Sequence, residues 1–158
     1  MAVSHEKRIR ELVDRESGRL RRITEGEASR KPSPDKWSLK ESLGHLVDSA
    51  GNNHQRFVRA QLAGALAFPG YAQTDWVKAQ DYAGEAWENL VELWCAYNRH
   101  LAHVVGRMTE GARAVECRIG ENPPVSLEAL VADYIRHVEH HLERMPGGAA
   151  YSSSGVSR

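Results

Sequence analysis

The segment Arg136-His137-Val138-Glu139-His140-His141 carries two histidines four residues apart. On an α-helix that spacing stacks His137 and His141 on one face, where their nitrogens can share a metal ion. At about 100° per residue both fall within the arc of Leu127, Leu130, Tyr134, Val138 and Leu142, and His140 falls outside it. Imidazoles on an apolar stripe need partners, because a buried polar group left unsatisfied costs about 1–3 kcal/mol. A divalent transition metal would meet that need, and so would hydrogen bonds from a pair of core histidines to backbone or carboxylate oxygens.

A third ligand has to come from another element, and two histidines compete for the place. His45 lies in Gly44-His45-Leu46-Val47-Asp48, and His54 follows nine residues later. On an ideal wheel His45 sits opposite Leu43 and Ala50, on a polar face with Glu41, Asp48, Asn52 and Arg56, whereas His54 lies on the apolar side. Periodicity therefore expects His45 to be exposed unless this helix is buried on two sides. His5, His100 and His103 occupy polar positions and are expected in solvent, while Glu139 and Glu143 can equally serve the site or be surface charges. Cys95 falls near an apolar stripe and is expected only to pack.

Four amphipathic helices must position these groups. Helix one is predicted over 4–24 from Ile9, Leu12, Val13, Leu20 and Ile23, and it is broken by Pro32 and Pro34. Helix two is predicted over 39–62, opened by a capping box of Ser38 and Glu41. Helix three, over 87–108, repeats Trp87, Leu90, Val91, Trp94, Tyr97 and Leu101 by threes and fours. Helix four, over 127–145, has Ser126 as its cap and Pro146-Gly147-Gly148 at its end. No strand signal stands out, so the economical architecture is an all-α four-helix bundle occupying 1–146, followed by a flexible tail over 147–158. The long connection 64–84, with Pro69-Gly70, Tyr71, Trp76 and Tyr82, is expected to hold a short helix near Asp75 and to form a wall or lid over a site, or else a packed crossover. A second connection covers 109–125.

Composition narrows the partners. The chain of 158 residues carries 21 basic and 21 acidic side chains, so it has no net field to attract nucleic acid or anionic lipid. Neither is expected as a partner. The first residues hold no apolar segment of signal-peptide type, and the two cysteines show no CxxC spacing, which together predict a cytoplasmic protein without disulfides.

The phrase Lys36-Trp37-Ser38-Leu39-Lys40-Glu41-Ser42-Leu43-Gly44-His45-Leu46-Val47-Asp48, with Asp133-Tyr134-Ile135-Arg136-His137-Val138-Glu139-His140-His141 far downstream, resembles the DinB/YfiT superfamily. The resemblance runs from helix one to about Met145. It implies a four-helix bundle, commonly a homodimer, in which His45, His137 and His141 hold one divalent metal, with zinc or nickel first and iron or others after them. Three imidazoles leave a coordination position open, the pattern of a catalytic site acting on a small-molecule substrate. The ion would either activate a low-molecular-weight thiol, making the protein a transferase, or activate water, making it a hydrolase. Of the two, thiol transfer is the preferred reading. Asp48 and Arg56 share the His45 face, where Asp48 can accept a hydrogen bond from a ligand and Arg56 can clamp an anion, although a solvated helix face suits Arg56 better. A non-catalytic metal-binding or assembly protein is the competing class.

Overall fold

The structure is a computed structural model that describes residues 3–148. Helix α1, His5–Arg22, starts where the Ser4 side chain accepts from the Lys7 amide, and it buries Ile9, Leu12, Val13 and Leu20. It stops two residues earlier than predicted, because Thr24 and Glu27 form a second capping box that opens the short α2, Glu25–Ser29. Helix α3, Leu39–Ala63, begins at the expected Ser38–Glu41 box and ends on Gly64, whose φ of 71° suits glycine. After it come β1, Leu66–Phe68, then α4, Gln73–Ala79, the short helix expected near Asp75, and a 3-10 turn at Tyr82–Gly84. Helix α5 spans Trp87–Gly106 and α6 spans Glu110–Arg113. Strands β2, Glu116–Ile119, and β3, Val125–Ser126, lead into α7, Leu127–Glu143, which Ser126 caps.

The four long helices form the bundle. Helix α5 packs on both α1 and α3, and α7 closes the other side against the same two helices. The links from α1 to α3 and from α5 to α7 therefore join diagonal members, whereas the 64–84 connection joins the neighbours α3 and α5. The expectation of a purely helical chain needs one correction. In the three-stranded sheet β1 runs parallel to β2, with Leu66 opposite Cys117, and β2 runs antiparallel to β3. Segments this short give alternation too few residues to register. The sheet ties the two connections together beside α3 and α7.

Helix α3 departs from the single buried stripe drawn for it. Every residue from 43 to 50 is buried, because α5 covers one side, α7 another, and α4 with the 3-10 turn a third. Helix α7 is held to α1 by a two-pronged ion pair from Arg8 to Glu139, at 3.0 and 2.6 Å. Glu139 is consequently buried rather than a surface charge. Among the described residues no helix is long and apolar enough to cross a membrane. Residues 149–158, most of the expected tail, lie outside the described residues.

Candidate metal centre

The first half of α3 and the second half of α7 run antiparallel, so His45 meets His137 and His141. The Nε2 atoms of His45 and His137 are 3.2 Å apart, and one donor nitrogen from each of the three rings lies within 4.8 Å of the others. Two imidazoles bound at about 2.0–2.1 Å to one tetrahedral ion would stand about 3.3 Å apart. The donor set and its spacing thus fit a divalent metal. Among the described residues no other group of three or more His, Cys, Asp or Glu converges in this way.

Burial sets the protonation of the site. His45 is fully buried under the Trp37 ring, 5.2 Å away, and the other two histidines are half-buried. Loss of solvent, and then the neighbouring imidazoles, push His45 down to about 4. Burial, with His137, His140 and Arg144 nearby, does the same to His141. Burial and His140 also lower His137. All three rings are therefore neutral near pH 7, so each keeps a lone pair that can ligate. The Nδ1 of His137 lies 3.3 Å from the Ser49 hydroxyl, which orients the ring. The Nδ1 of His45 is buried with no hydrogen-bond partner.

This arrangement decides between the two candidates on α3. His54 is half-buried on the α5 side, with Nδ1 3.0 Å from the Tyr97 hydroxyl and its ring 5.1 Å from His100. It has no place in the triad. His100, His103 and His140 are exposed as expected, but His5 is half-buried with Nδ1 3.0 Å from Glu128, a correction to its solvent position. Cys95 packs in the core, where burial raises its thiol.

Asp48 lies one turn beyond His45 and is buried, but no hydrogen bond joins it to a triad histidine. Its Oδ1 accepts from the Tyr82 hydroxyl at 2.6 Å and from the Gln80 amide at 2.8 Å, while Oδ2 has no partner. Burial raises this carboxyl, and the two hydrogen bonds partly offset the rise. Tyr82 reaches Asp48 only because residue 44 is glycine, since a Cβ there would stand 2.2 Å from the Tyr82 ring. No motif marks Tyr82 in the sequence; the one local signal is a glycine inside a helix, next to the candidate ligand.

Arg56 is not on a solvated face as the helical wheel suggested, being only 8% exposed. Ser49, Asn53, Arg56, Tyr71, Tyr134 and His137 line a cavity of about 290 Å³ beside the triad. Gly70, Tyr71 and Gln73, from the 64–84 connection, form one wall of this cavity. A larger cavity, about 460 Å³, lies between the end of α1 and the start of α5, and no triad histidine lines it.

Comparison with known proteins bears on this geometry. A family model described as DinB superfamily matches residues 8–145. The fold is similar to that of YfiT from Bacillus subtilis, described as a probable metal-dependent hydrolase with an unusual four-helix bundle topology. That likeness has a TM-score of 0.75 at 17% identity, covering 89% of this chain and 84% of the other. No curated protein is similar enough in sequence to count as a match.

Proposed function

The chain belongs to the DinB superfamily, and from that premise we propose that it is a divalent-metal-dependent enzyme that joins a low-molecular-weight thiol to a small electrophile. The observation that carries the reading is the convergence of His45, His137 and His141 as three neutral imidazoles beside a cavity. A zinc or nickel ion held there supplies positive charge that lowers the pKa of a thiol or water brought against it. The protein's own share is to desolvate the three rings, to hold His137 through Ser49, and to present a walled space for the electrophile.

Thiol transfer is favoured over hydrolysis by what surrounds the rings. Among the described residues no carboxylate hydrogen-bonds to the triad, and the near one, Asp48, spends its Oδ1 on Tyr82 and Gln80. A thiol near pKa 8.5 needs little acidification, whereas water near 15.7 needs a great deal, along with a group to manage its proton. A hydrolase is the second reading, supported by the description of YfiT.

The test is direct. Protein purified without a histidine tag is analysed for metal, then loaded with zinc or nickel and assayed two ways. A panel of small thiols is offered with 1-chloro-2,4-dinitrobenzene, and a nitrophenyl ester is offered without thiol. Metal-dependent conjugation that disappears in His137→Ala supports transfer. Ester hydrolysis without conjugation moves the assignment to the hydrolase, and failure to bind any divalent ion overturns both.

A further inference from the structure

We propose that Arg56 forms a carboxylate-recognition subsite, so that the small substrate of this centre carries one carboxylate that Arg56 receives while the rest of the molecule extends toward His137. The inference rests on the metal-enzyme reading for what happens at His137, but the subsite itself stands on Arg56.

A guanidinium is always charged and offers five donors in a rigid plane. Burying one without an anion is expensive, and folded proteins normally pair it. Arg56 is 8% exposed, yet among the described residues no acidic side chain bonds to it. Its only contacts of note are a marginal one, Nη2 at 3.5 Å from the Pro69 carbonyl, and the Phe68 ring, whose centre is 5.5 Å from the guanidinium carbon. Its Nε is buried with no partner at all. Asp133 lines the same cavity, but it is exposed and its carboxylate is engaged by Arg136. The charge thus stands ready in a cavity rather than spent within the fold.

The surroundings choose the anion. Arg56 is the one lysine or arginine among the residues lining the cavity, and the Asp133 carboxylate shares the space. A single negative charge balances one guanidinium, and a planar carboxylate matches its fork with two parallel hydrogen bonds. A phosphate dianion would leave charge uncompensated beside Asp133. Asn53, whose amide nitrogen is committed to the Ser49 carbonyl at 2.9 Å, and the Tyr71 hydroxyl add polar edges. The volume of about 290 Å³ equals roughly ten waters at about 30 Å³ each. That suits a small molecule. The same cavity reaches His137, so one molecule can lie against both groups.

Benzoate, its neutral analogue benzamide, and inorganic phosphate are the probes, titrated by calorimetry into zinc-loaded and chelator-treated protein. Benzoate is expected to bind about tenfold or more tightly than benzamide in both forms, with phosphate weaker than benzoate, in keeping with the strength of a charge-assisted pair. Arg56→Gln should erase the preference while still taking up zinc. Equal affinity for benzoate and benzamide, a preference that survives Arg56→Gln, or phosphate binding more tightly than benzoate would each overturn the subsite. Should Arg56→Gln fail to fold by circular dichroism, Arg56→Lys keeps the charge without the fork. It should weaken benzoate several-fold and leave benzamide unchanged, and an unaltered benzoate affinity there overturns the proposal. His141→Ala separates the two readings, because His141 does not line the cavity. It should lose zinc and keep the benzoate preference, and loss of that preference would count against the subsite. Wild-type protein that takes up no metal yet still prefers benzoate would sink the enzyme assignment and support the subsite.

Discussion

Helix α3 carries a histidine on each of two opposed sides, and the two have different environments. His45 is fully buried and meets two further imidazoles from α7, whereas His54 is half-buried and meets Tyr97 and His100 from α5. Nδ1 of His54 has a hydroxyl partner at 3.0 Å, while His45 has another imidazole nitrogen at 3.2 Å and an orphaned Nδ1. One cluster is satisfied by ordinary hydrogen bonding. The other brings lone pairs together in a place where only a cation or an awkward set of tautomers relieves them. A count of histidines does not distinguish the two sides; burial and convergence do.

The sharpest way to break the comparison is to remove the three clustered histidines singly. His45→Ala, His137→Ala and His141→Ala should each weaken metal binding, measured by competitive chelator titration, by more than the roughly 10- to 100-fold that loss of an outer partner costs. The double change His137→Ala with His141→Ala should add little to either single one, since residues acting as a unit are not additive. His103→Ala, on an exposed position, should leave affinity unchanged, and His140→Ala, exposed but beside His141, should change it far less than loss of any of the three.

Acidification gives the next largest effect, and its sign follows from the lowered pKa values. With His45 and His141 at about 4, below the 6.5 of free imidazole, the folded state binds fewer protons than the unfolded chain between those values. The stability of the metal-free protein should therefore fall as pH drops from 6.5 toward 4, as read from denaturant midpoints. Zinc affinity should likewise begin to fall only below pH 6.5, because burial lowers all three rings. This lies below the window around 6.5 expected for unperturbed histidines. A midpoint of zinc release at 6.5 would show that the rings are not desolvated as described.

Gly44→Ala sharpens the comparison from the backbone side. A Cβ there would overlap the Tyr82 ring, so that ring and its bond to Asp48 must shift. The cost should be about 1–3 kcal/mol in unfolding free energy, with metal affinity weakened as the helix moves. His54→Ala is the smallest perturbation. It removes one partly exposed hydrogen bond and should cost about 0.5–1.5 kcal/mol with zinc affinity intact. If it abolished zinc binding while His45→Ala did not, the site would have to be rebuilt on the α5 side of α3.

Much of the architecture was legible because it is local. Ser38, Glu41 and Ser126 cap the helices they were expected to cap, and the stripes of α1, α5 and α7 face the core as their periods require. The His137–His141 spacing carried two of the three histidines of the cluster for the same reason. The box of Thr24 and Glu27 is equally local, but the five-residue helix that it opens buries only Ala28 and is too short to show an apolar period. The strands were another matter. Cys117 faces inward between exposed Glu116 and Arg118, an alternation too brief to stand out, and its partner Leu66 lies fifty-one residues earlier.

Sequence alone determined the helical stripes, their starts and stops, and a pair of imidazoles on an inward face, since each depends on residues within a few turns of one another. Whether His45 or His54 completes the site was decided by tertiary structure, as were the burial of Arg56 and Glu139 and the cavity between α3 and the 64–84 connection. A hydrophobic period reports the apolar face of one helix, but not how many neighbours will cover the polar one. Helix α3 is enclosed by α5, α7, α4 and the 3-10 turn, so its polar face became an interior, and the chemistry gathered there.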